Sequence, residues 1–529
     1  MSAPDPVLTE VTARYLSLAA EEIAATLVAL AFSPNIKERA DCSAAIFDAT
    51  GRVVAQANRI PIHLGSMIGA IEAVLTKYPL AGMSSGDMFL ANDPYNGGGT
   101  HLPDLNVVAP VFLHGVVAGF VANIAHHADV GGMVPGSESA LCSSIYQEGL
   151  RIPVVRVLRD GQPDRDIMDL VLLNSRTPDE RLGDLQAQFA ANRIGVERVI
   201  ALFERHPRAV TDDCIEAFLA ATGRRFSAAV AAIPDGVYES EEALDEGDVR
   251  SPATLHLKLA VAGGRLRFDF SASGPQLRES SRNVPRKAVL AVVYAVSKSL
   301  LDPDVPPNAG YYDSIDVVTR AGTLLDPLPP AAVGTRAITC GVLGDLIVAA
   351  MGQALGTRGM ADSGPHHLVI FSGPDSRSGE FLVDYETIAG GMGGRGGGDG
   401  MDAVRVHASG AANLPVEALE NAYPLRIERY ALRQGSGGAG LHRGGRGVVR
   451  DYHVLADGVT VSLSSERQRR PARGVAGGGD GMTGAFVLNP GTPGERRLPA
   501  AAVDLALAKG EVLRVLTPGG GGFGASVVE

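Results

Sequence analysis

The sequence predicts an α+β protein of several mixed subdomains, with an N-terminal α+β part that carries a candidate metal site and a β-rich C-terminal part. Three observations predict this class. The 529 residues are too many for one simple core. Apolar residues at helical spacing and at alternating spacing are interleaved in the first part of the chain. From about residue 420, short apolar runs are broken by glycine, of which the chain has 65.

Two changes in the pattern of residues divide the chain. Near residues 233–236 (IPDG), helical spacing gives way to the alternating spacing of strands. The glycine-rich pattern that predicts strands begins shortly after residue 415. We therefore expect a metal-site domain over residues 1–234, a central α+β domain over 235–415 and a β-rich domain over 416–529.

The N-terminal part opens with a predicted helix, because apolar residues recur at helical spacing over residues 9–31. Two strands then flank a DATG turn, and a further helical stretch follows directly after His63. A later hairpin would bring His126 back towards His101. The predicted elements of this region are helix 67–75 and strands 44–47, 52–55, 88–91, 107–112 and 116–123.

The segment 178–205 has a strong helix start signal. Thr177 stands at the N-cap, Pro178 at the first helical position, and Glu180 would complete a capping box. The remaining predicted elements are helices 213–232 and 285–301, strands 255–261 and 266–270, and a loop at 390–400.

Bulk properties exclude several classes of protein. The formal net charge of −12 argues against nucleic acid as the main partner. No run of about 18 apolar residues predicts a membrane span, and the N-terminus lacks the pattern of a secretory signal. Four scattered cysteines without a CxxC pair fit a reducing compartment. We therefore expect a cytoplasmic protein.

The stretch 92–137 concentrates residues that can bind a metal ion. His101 and Asp104 form an HxxD pair on a Gly/Pro-rich turn, His126 lies beyond the predicted hairpin, and Asp41 could arrive from the first strand. Two imidazoles and two carboxylates suit Zn²⁺, Mn²⁺ or Fe²⁺. Such an ion would polarise a carbonyl or activate water.

Three neighbouring residues could support that site. His127, His63 and Asp129 could orient the ligands or move a proton. The alternative is that Asp104 and Asp129 cap turns, and that His63 is a satisfied core histidine. From the residues alone these alternatives stay open.

Other kinds of site have weaker signals. The sequence has no GxxxxGK[ST] loop, and a GxGxxG match at 391–396 lies in a glycine tract where any such pattern would match. Cys42 and Cys142 are interpreted as buried cysteines rather than nucleophiles. His366 and His367 precede an apolar strand and are interpreted as a packed edge rather than a site.

Several arginines could meet an anionic substrate, but surface salt bridges are the favoured interpretation. These are Arg282, Arg286 and Arg336. Two further basic clusters, at 443–450 and 467–473, are interpreted as solvated turns or subunit contacts.

Seven motifs, in order along nearly the whole chain, resemble those of the hydantoinase B/oxoprolinase family. They are ERADCSAAIFD, IPIHLGSM, NDPYNGGGTHLPD, HHADVGG-x-x-PGS, DYETIAGG, SGGAGLHRGGRGVVRD and TPGGGGFG. The family includes B-type subunits of ATP-dependent hydantoinases and caprolactamase, subunits of acetone and acetophenone carboxylases, and the C-terminal half of 5-oxoprolinases.

The resemblance implies a divided enzyme. An A-type subunit would bind ATP and phosphorylate the substrate carbonyl or enolate oxygen, so the chain would act within a hetero-oligomer. The B-type chain would hold a divalent metal on Asp41, His101, Asp104 and His126, with His127, Asp129 and His63 around them.

The resemblance favours an ATP-dependent hydrolase of cyclic amides. A ketone carboxylase subunit and a non-catalytic scaffold are the alternatives. The chain departs from the usual family pattern at 363–367 and at 336–340, where His366, His367 and Cys340 stand in place of the expected residues. These departures concern the substrate, and they suggest that the two histidines line the substrate side of the pocket.

Overall fold

The computed structural model describes residues 4–248, 251–375 and 379–526. It has helices and several separate sheets, so the predicted α+β class is confirmed. The predicted helices and strands are present, most of them longer than predicted. The helices are α1 Pro6–Leu30, α2 Pro34–Lys37, α3 Pro61–Lys77, α4 Arg165–Leu173, α5 Pro178–Arg205, α6 Arg208–Ala231, α7 Arg286–Leu301, α8 Ala309–Tyr312, α9 Arg336–Leu355 and α10 Val416–Ala422.

The first sheet carries the candidate site. Its strands are β1 Cys42–Asp48, β2 Val53–Gln56, β3 Met88–Ala91, β4 Asp104–Leu113, β5 Val116–His126, β6 Val155–Arg159 and β7 Gln162–Pro163. They are ordered β2-β1-β5-β4-β3-β6-β7, and every neighbouring pair is antiparallel. In the predicted hairpin, β4 and β5 pair so that Asp104 lies opposite His126.

Both faces of this sheet are buried. Ala44 and Ile46 of β1 pack into a core with α1 and α5, whereas the alternate residues Ala45 and Phe47 pack into a core that includes α3. Because successive side chains of a strand point to opposite faces, one apolar strand can serve both cores. This explains why β1 reads as a continuous apolar run rather than an alternating one.

The second sheet is covered by long helices. Its strands are β8 Gly236–Asp248, β9 Ser251–Ala262, β10 Arg265–Asp269 and β11 Ile315–Val318, ordered β11-β10-β9-β8. Among the described residues one helical segment, Arg336–Arg358, is long and apolar enough to cross a bilayer. Because 83% of its apolar window is buried inside the fold, it is a core helix here.

The C-terminal strands form two further sheets around one core. Their bounds are β12 His367–Pro374, β13 Phe381–Ile388, β14 Leu425–Leu432, β15 Val448–Val454, β16 Val459–Ser464, β17 Ala485–Leu488, β18 Arg496–Leu498, β19 Ala501–Leu507 and β20 Val512–Leu516. One sheet is ordered β13-β12-β16-β19 and the other β14-β15-β20-β17-β18. The boundary at residue 415 stays a prediction, and strands from both sides of it pair in the first of these sheets.

Glycine-rich segments pack backbone against backbone beside these sheets. A Cβ on Gly391 would lie 2.0 Å from the carbonyl oxygen of Gly445, and one on Gly444 would lie 1.9 Å from that of Gly520. The N–H of Gly520 donates to the carbonyl oxygen of Gly445 at 2.9 Å. No other residue type fits at such a separation. The GxGxxG match in the predicted loop therefore reflects close backbone packing.

Replacing Gly391 by alanine is expected to lower the free energy of unfolding by about 1–3 kcal/mol, because the new Cβ would overlap a backbone carbonyl rather than a movable side chain. Gly397→Ala is the matched control. It lies in the same tract, and a Cβ there meets nothing within 4 Å. Urea denaturation measures both variants, and equal losses would contradict this account of the tract.

Some sequence predictions were wrong. Thr177 starts α5, but its hydroxyl is buried without a hydrogen-bond partner, so the capping box is not formed. Glu180 instead pairs with Arg181. In the basic clusters, Arg450 and Arg467 are buried in ion pairs with internal carboxylates and are not solvated turns. The cysteines were predicted correctly, since all four are buried.

Candidate metal centre

The site lies where three elements of the first sheet end. Asp104 is the first residue of β4 and His126 is the last residue of β5, and His101 lies one turn before β4. Asp41 directly precedes β1, and its carbonyl oxygen accepts the N–H of His126 at 3.0 Å. The antiparallel register of β1, β5 and β4 therefore brings together the four residues that the sequence predicts as ligands.

Three of these side chains lie close enough together to hold a metal ion. One possible ligand atom from each of His101, Asp104 and His126 lies within 4.8 Å of the others. His101 Nε2 and Asp104 Oδ1 are 3.1 Å apart, and neither buried atom satisfies the geometry of a hydrogen bond. Unsatisfied buried polar atoms are rare and need an explanation. Two imidazoles and a carboxylate at this separation fit a borderline divalent ion.

The charged surroundings of Asp104 and His101 shift the pKa values of both side chains. Burial would raise the pKa of Asp104, but His101, Arg336 and His63 outweigh it and hold this pKa well below its usual range. Burial and Arg336 would lower the pKa of His101, but Asp104 and Glu138 outweigh them and raise it to about 9.

His63 joins this cluster from the first turn of α3, which begins earlier than predicted. Its Nδ1 lies 3.1 Å from Ser43 Oγ, and its Nε2 lies 3.5 Å from Asp41 Oδ1 and 3.7 Å from Asp104 Oδ1. The buried ring thus faces two candidate ligands. Burial lowers its pKa, so the ring is neutral at pH 7.

Glu138 is a member of the cluster that sequence reasoning did not identify. Its Oε1 lies 3.0 Å from His101 Nδ1 and 3.1 Å from His126 Nε2, and it accepts the Tyr385 hydroxyl at 3.3 Å. Burial would raise its pKa, but His101 and His126 lower it to about 2. Glu138 belongs to a loop without periodicity, so only its contacts identify it.

Arg336 lies at the start of α9 and is buried, so its interpretation as a surface salt bridge was wrong. Its Nη2 donates to Asp104 Oδ2 at 2.6 Å and its Nε donates to Thr100 Oγ1 at 2.9 Å. Arg282 is also buried, and it pairs with Glu466. Arg286 is exposed and donates to a backbone carbonyl.

The cluster forms one wall of a cavity of about 40 Å³. Ile60, Ile62, Pro365 and Val406 are among its apolar lining residues. Its polar lining residues include Asp41, His63, His101, Asp104, His126, Arg336, His366, Tyr385, Thr387 and Arg405. A space of this size holds a few water molecules or an ion with part of a ligand.

Two predicted residues do not line this cavity. His127 Nε2 lies 3.0 Å from Gln188 Oε1 of α5. Asp129 accepts backbone N–H groups at both carboxylate oxygens and forms an ion pair with Arg176 at 2.9 Å. Neighbours on an extended chain point in opposite directions, which separates His127 from His126. These contacts fix the loop after β5.

The adjacent residues His366 and His367 also lie in different surroundings. His366 lines the cavity, and burial lowers its pKa to about 3, so it is neutral. His367 begins β12, a central strand rather than an edge, and its ring packs against Phe486. Only His366 therefore lies where it could contact a ligand.

Glu148 supports the site through the backbone. Its Oε1 accepts the N–H groups of Val333 and Gly334 at 2.8 and 2.6 Å, and its Oε2 is buried without a hydrogen-bond partner. The carbonyl oxygen of Gly334 lies 3.1 Å from His101 Nδ1. Burial raises the pKa of Glu148 to about 8, although the two N–H groups oppose that shift.

This pKa gives a testable dependence of stability on pH. The pKa of Glu148 is higher in the folded chain than in the unfolded chain, so its contribution to stability is lost as pH rises towards 8. Glu148→Gln keeps the acceptor and removes the titration. The free energy of unfolding of the variant, relative to wild type, is expected to rise by roughly 2–4 kcal/mol between pH 5 and pH 8.5.

Urea denaturation at the two pH values tests this expectation. Glu204→Gln, at an exposed position of α5, is the control and should follow the wild type at both. A constant difference between Glu148→Gln and wild type across this range would show that Glu148 does not titrate there.

The chain is similar to several known proteins. The profile of the hydantoinase B/oxoprolinase family matches residues 5–526. An uncharacterized protein of Methanocaldococcus jannaschii is 35% identical, over 98% of this chain and 91% of its own length. A Pseudomonas protein, provisionally named as the B-type subunit of a D-/L-hydantoinase, is 29% identical over 98% of this chain and 90% of its own.

Several relatives are much longer than this chain. The 5-oxoprolinase 1 of Arabidopsis thaliana is 31% identical over 97% of this chain, which spans 41% of that protein. The chain thus corresponds to about two fifths of the oxoprolinase.

Two solved structures are similar in fold. The ATP-dependent caprolactamase of Pseudomonas jessenii has a TM-score of 0.90 at 28% identity and covers 98% of this chain and 91% of its own. An acetone carboxylase has a TM-score of 0.88 at 19% identity and covers 98% and 76%. The second similarity shows a shared fold.

Proposed function

Because this chain belongs to the hydantoinase B/oxoprolinase family, we propose that it is the metal-bearing B-type subunit of an ATP-dependent enzyme that hydrolyses cyclic amides. The observation that carries this proposal is the buried trio His101, Asp104 and His126, whose possible ligand atoms lie within 4.8 Å of one another and in which His101 Nε2 and Asp104 Oδ1 have no hydrogen-bond partner. The names of the Pseudomonas hydantoinase relative and of the caprolactamase support the substrate class.

The proposed ligands are His101, Asp104, His126 and Asp41. A divalent ion held there, Zn²⁺, Mn²⁺ or Fe²⁺, supplies Lewis acidity towards a carbonyl oxygen and lowers the pKa of water. The chain's own groups orient the ligands. The carbonyl oxygen of Gly334 accepts the proton on His101 Nδ1, which leaves the lone pair of the neutral ring on Nε2.

Other contacts fix the two remaining ligands of the trio. Arg336 holds Asp104 Oδ2 and leaves Oδ1 facing His101. The Asn35 side-chain amide donates to the His126 carbonyl oxygen and lies 3.0 Å from His126 Nδ1, which fixes the ring. His126 Nε2 lies 3.1 Å from Glu138 Oε1 and would bind the ion in place of that contact. His63, neutral and 3.5 Å from Asp41 Oδ1, is placed to take up a proton released in the cavity.

We propose that the substrate is activated on another chain. An amide carbonyl is a poor electrophile, and phosphorylation of its oxygen creates a good leaving group. The sequence has no P-loop, so ATP would be bound by an A-type partner, a division that the B-type designation of the Pseudomonas relative supports. A cytoplasmic hetero-oligomer, in which one chain activates the substrate and this chain hydrolyses it, fits this proposal.

Two alternatives remain distinct from this proposal. A ketone carboxylase subunit would use the same fold, as the acetone carboxylase does. A scaffold subunit would bind the partner without chemistry. The buried, unsatisfied ligand atoms favour a catalytic chain over a scaffold, since orphaned polar groups are costly unless a ligand uses them.

The deciding experiment assembles this chain with its A-type partner and measures ATP hydrolysis with candidate substrates. A hydantoin or lactam should stimulate ATP hydrolysis and be ring-opened without added bicarbonate. Stimulation by a ketone that depends on bicarbonate would replace the hydrolase proposal with a carboxylase. Full activity of the complex after loss of all metal from this chain would favour the scaffold.

A further inference from the structure

Two neighbouring arginines beside the cavity, Arg39 and Arg405, form no ion pair with a carboxylate of the described residues. Arg39 is buried, and its guanidinium donates to Asn35 Oδ1 at 2.6 Å, the Tyr385 carbonyl oxygen at 2.5 Å and Thr387 Oγ1 at 2.7 Å. All three acceptors are neutral. Among residues 4–248, 251–375 and 379–526, no carboxylate forms an ion pair with Arg39.

Arg405 repeats this pattern and lines the cavity itself. Its Nη2 donates to the carbonyl oxygens of Thr387 and Ala412, and its buried Nε has no hydrogen-bond partner. In the described part of the chain it has no carboxylate partner either. Thr387 and Ala412 also accept from Arg39, so the two guanidinium groups share one set of neutral partners.

The other fully buried arginines of the described chain differ. Each lies within ion-pair distance of a carboxylate, because an unpaired buried charge is costly. The pairs are Arg181–Asp184 at 3.1 Å, Arg282–Glu466, Arg450–Glu386 at 3.0 Å and Arg467–Asp345 at 2.9 Å. Arg39 is thus the exception among them, and it lies next to a second unpaired arginine.

Asp41 and Asp104 line the cavity, and Asp41 acts on Arg405 through its charge without forming an ion pair with it. Arg336 holds Asp104, and Glu138 lies between His101 and His126. Burial, with the Arg39 charge, lowers the pKa of Arg405 to about 9, so this cation is destabilised where it stands. A divalent ion on the candidate ligands would add further positive charge. An anion in the cavity would offset the positive charge of Arg405, of Arg39 and of such an ion.

We propose that Arg405, supported by Arg39, binds an oxyanion of the ligand that enters the metal-site cavity. The class of ligand is a phosphoryl group or a carboxylate, both of which a guanidinium binds through charge-assisted hydrogen bonds. This proposal rests on the proposed function, in which a phosphorylated intermediate arrives from the partner. His366, neutral in the same cavity, adds no competing charge.

Calorimetric titration of the purified full-length chain with inorganic phosphate, and separately with acetate, tests the proposal. Each titration is run on metal-loaded and metal-stripped protein. Arg405→Gln is expected to weaken phosphate binding at least tenfold with or without metal, at unchanged metal content. Arg405→Lys should bind with intermediate strength, since it keeps the charge and loses the planar donor geometry. Arg496→Gln, at an exposed position, should bind as wild type does.

The outcomes separate this proposal from the proposed function. Binding of both anions that is equal in wild type and Arg405→Gln, or absent from wild type, overturns the oxyanion site. Tighter binding of phosphate than of acetate assigns the phosphoryl group, and the reverse assigns a carboxylate of the substrate. Metal content measured on the same samples tests the metal proposal by itself. Thermal unfolding of the glutamine and lysine variants confirms that both are folded.

Discussion

Replacing Asp104 by asparagine is expected to lower the turnover of the assembled complex and the metal affinity of this chain by more than about 100-fold. Changes to groups that only orient ligands already cost 10–100-fold, and Asp104 is the carboxylate on which His101, His63 and Arg336 converge. The variant loses the anionic ligand atom and leaves the buried Arg336 without its partner. Metal affinity and ATP-coupled turnover are measured on the same preparation.

Asp129→Asn is the matched control for this change. Asp129 is equally buried and also pairs with an arginine, but its partners lie in the loop after β5 and it does not line the cavity. We expect the control to lose stability and to keep metal and turnover. If Asp129→Asn lost its metal and Asp104→Asn kept it, the placement of the site would be wrong.

Replacing Arg467 by methionine is expected to lower the free energy of unfolding by about 3–5 kcal/mol, the usual cost of breaking a buried ion pair. Arg467 lies 3.0 Å from Glu242 Oε1, 2.9 Å from Asp345 Oδ2 and 3.5 Å from Asp362 Oδ2. These carboxylates come from β8, α9 and the segment before β12. Without the guanidinium their buried charges repel one another.

The loss should depend on pH. Burial would raise the pKa of Asp345, but His407 and Arg467 outweigh it and lower this pKa in the folded chain. A depressed pKa stabilises the fold at neutral pH, and this stabilisation is lost as pH falls through the folded pKa. The difference between wild type and variant should therefore be largest near pH 7 and shrink towards pH 4.

Urea denaturation at both pH values provides the measurement. Arg469→Met, two residues away with an exposed side chain, is the control, and a change within about 0.5 kcal/mol is expected. A loss of similar size for both variants would show that Arg467 is not central to the stability of this network.

The parts of the site that follow local rules could be predicted from sequence. The hairpin of β4 and β5 is specified by two apolar runs about a His-Gly turn, and its register brings His126 opposite Asp104. His101 is then near because it is only three residues from Asp104. Asp41 was found because it precedes a recognisable strand.

The parts that depend on the packing of distant segments could not be predicted. Glu138 and Arg405 lie in stretches without periodicity and reach the site only through the tertiary fold. Arg39 resembles any surface arginine until its burial is known. The glycine tract shows the same limit, since its composition predicts a loop but not the backbone contacts that require glycine.

A crystal structure of the chain grown with Mn²⁺ or Zn²⁺, with anomalous scattering data collected at the metal edge, tests the central claim most directly. We predict one strong anomalous peak per chain, within bonding distance of His101, Asp104 and His126. A peak bound elsewhere, or no peak at saturating metal, would contradict the assignment of this cluster as the metal centre.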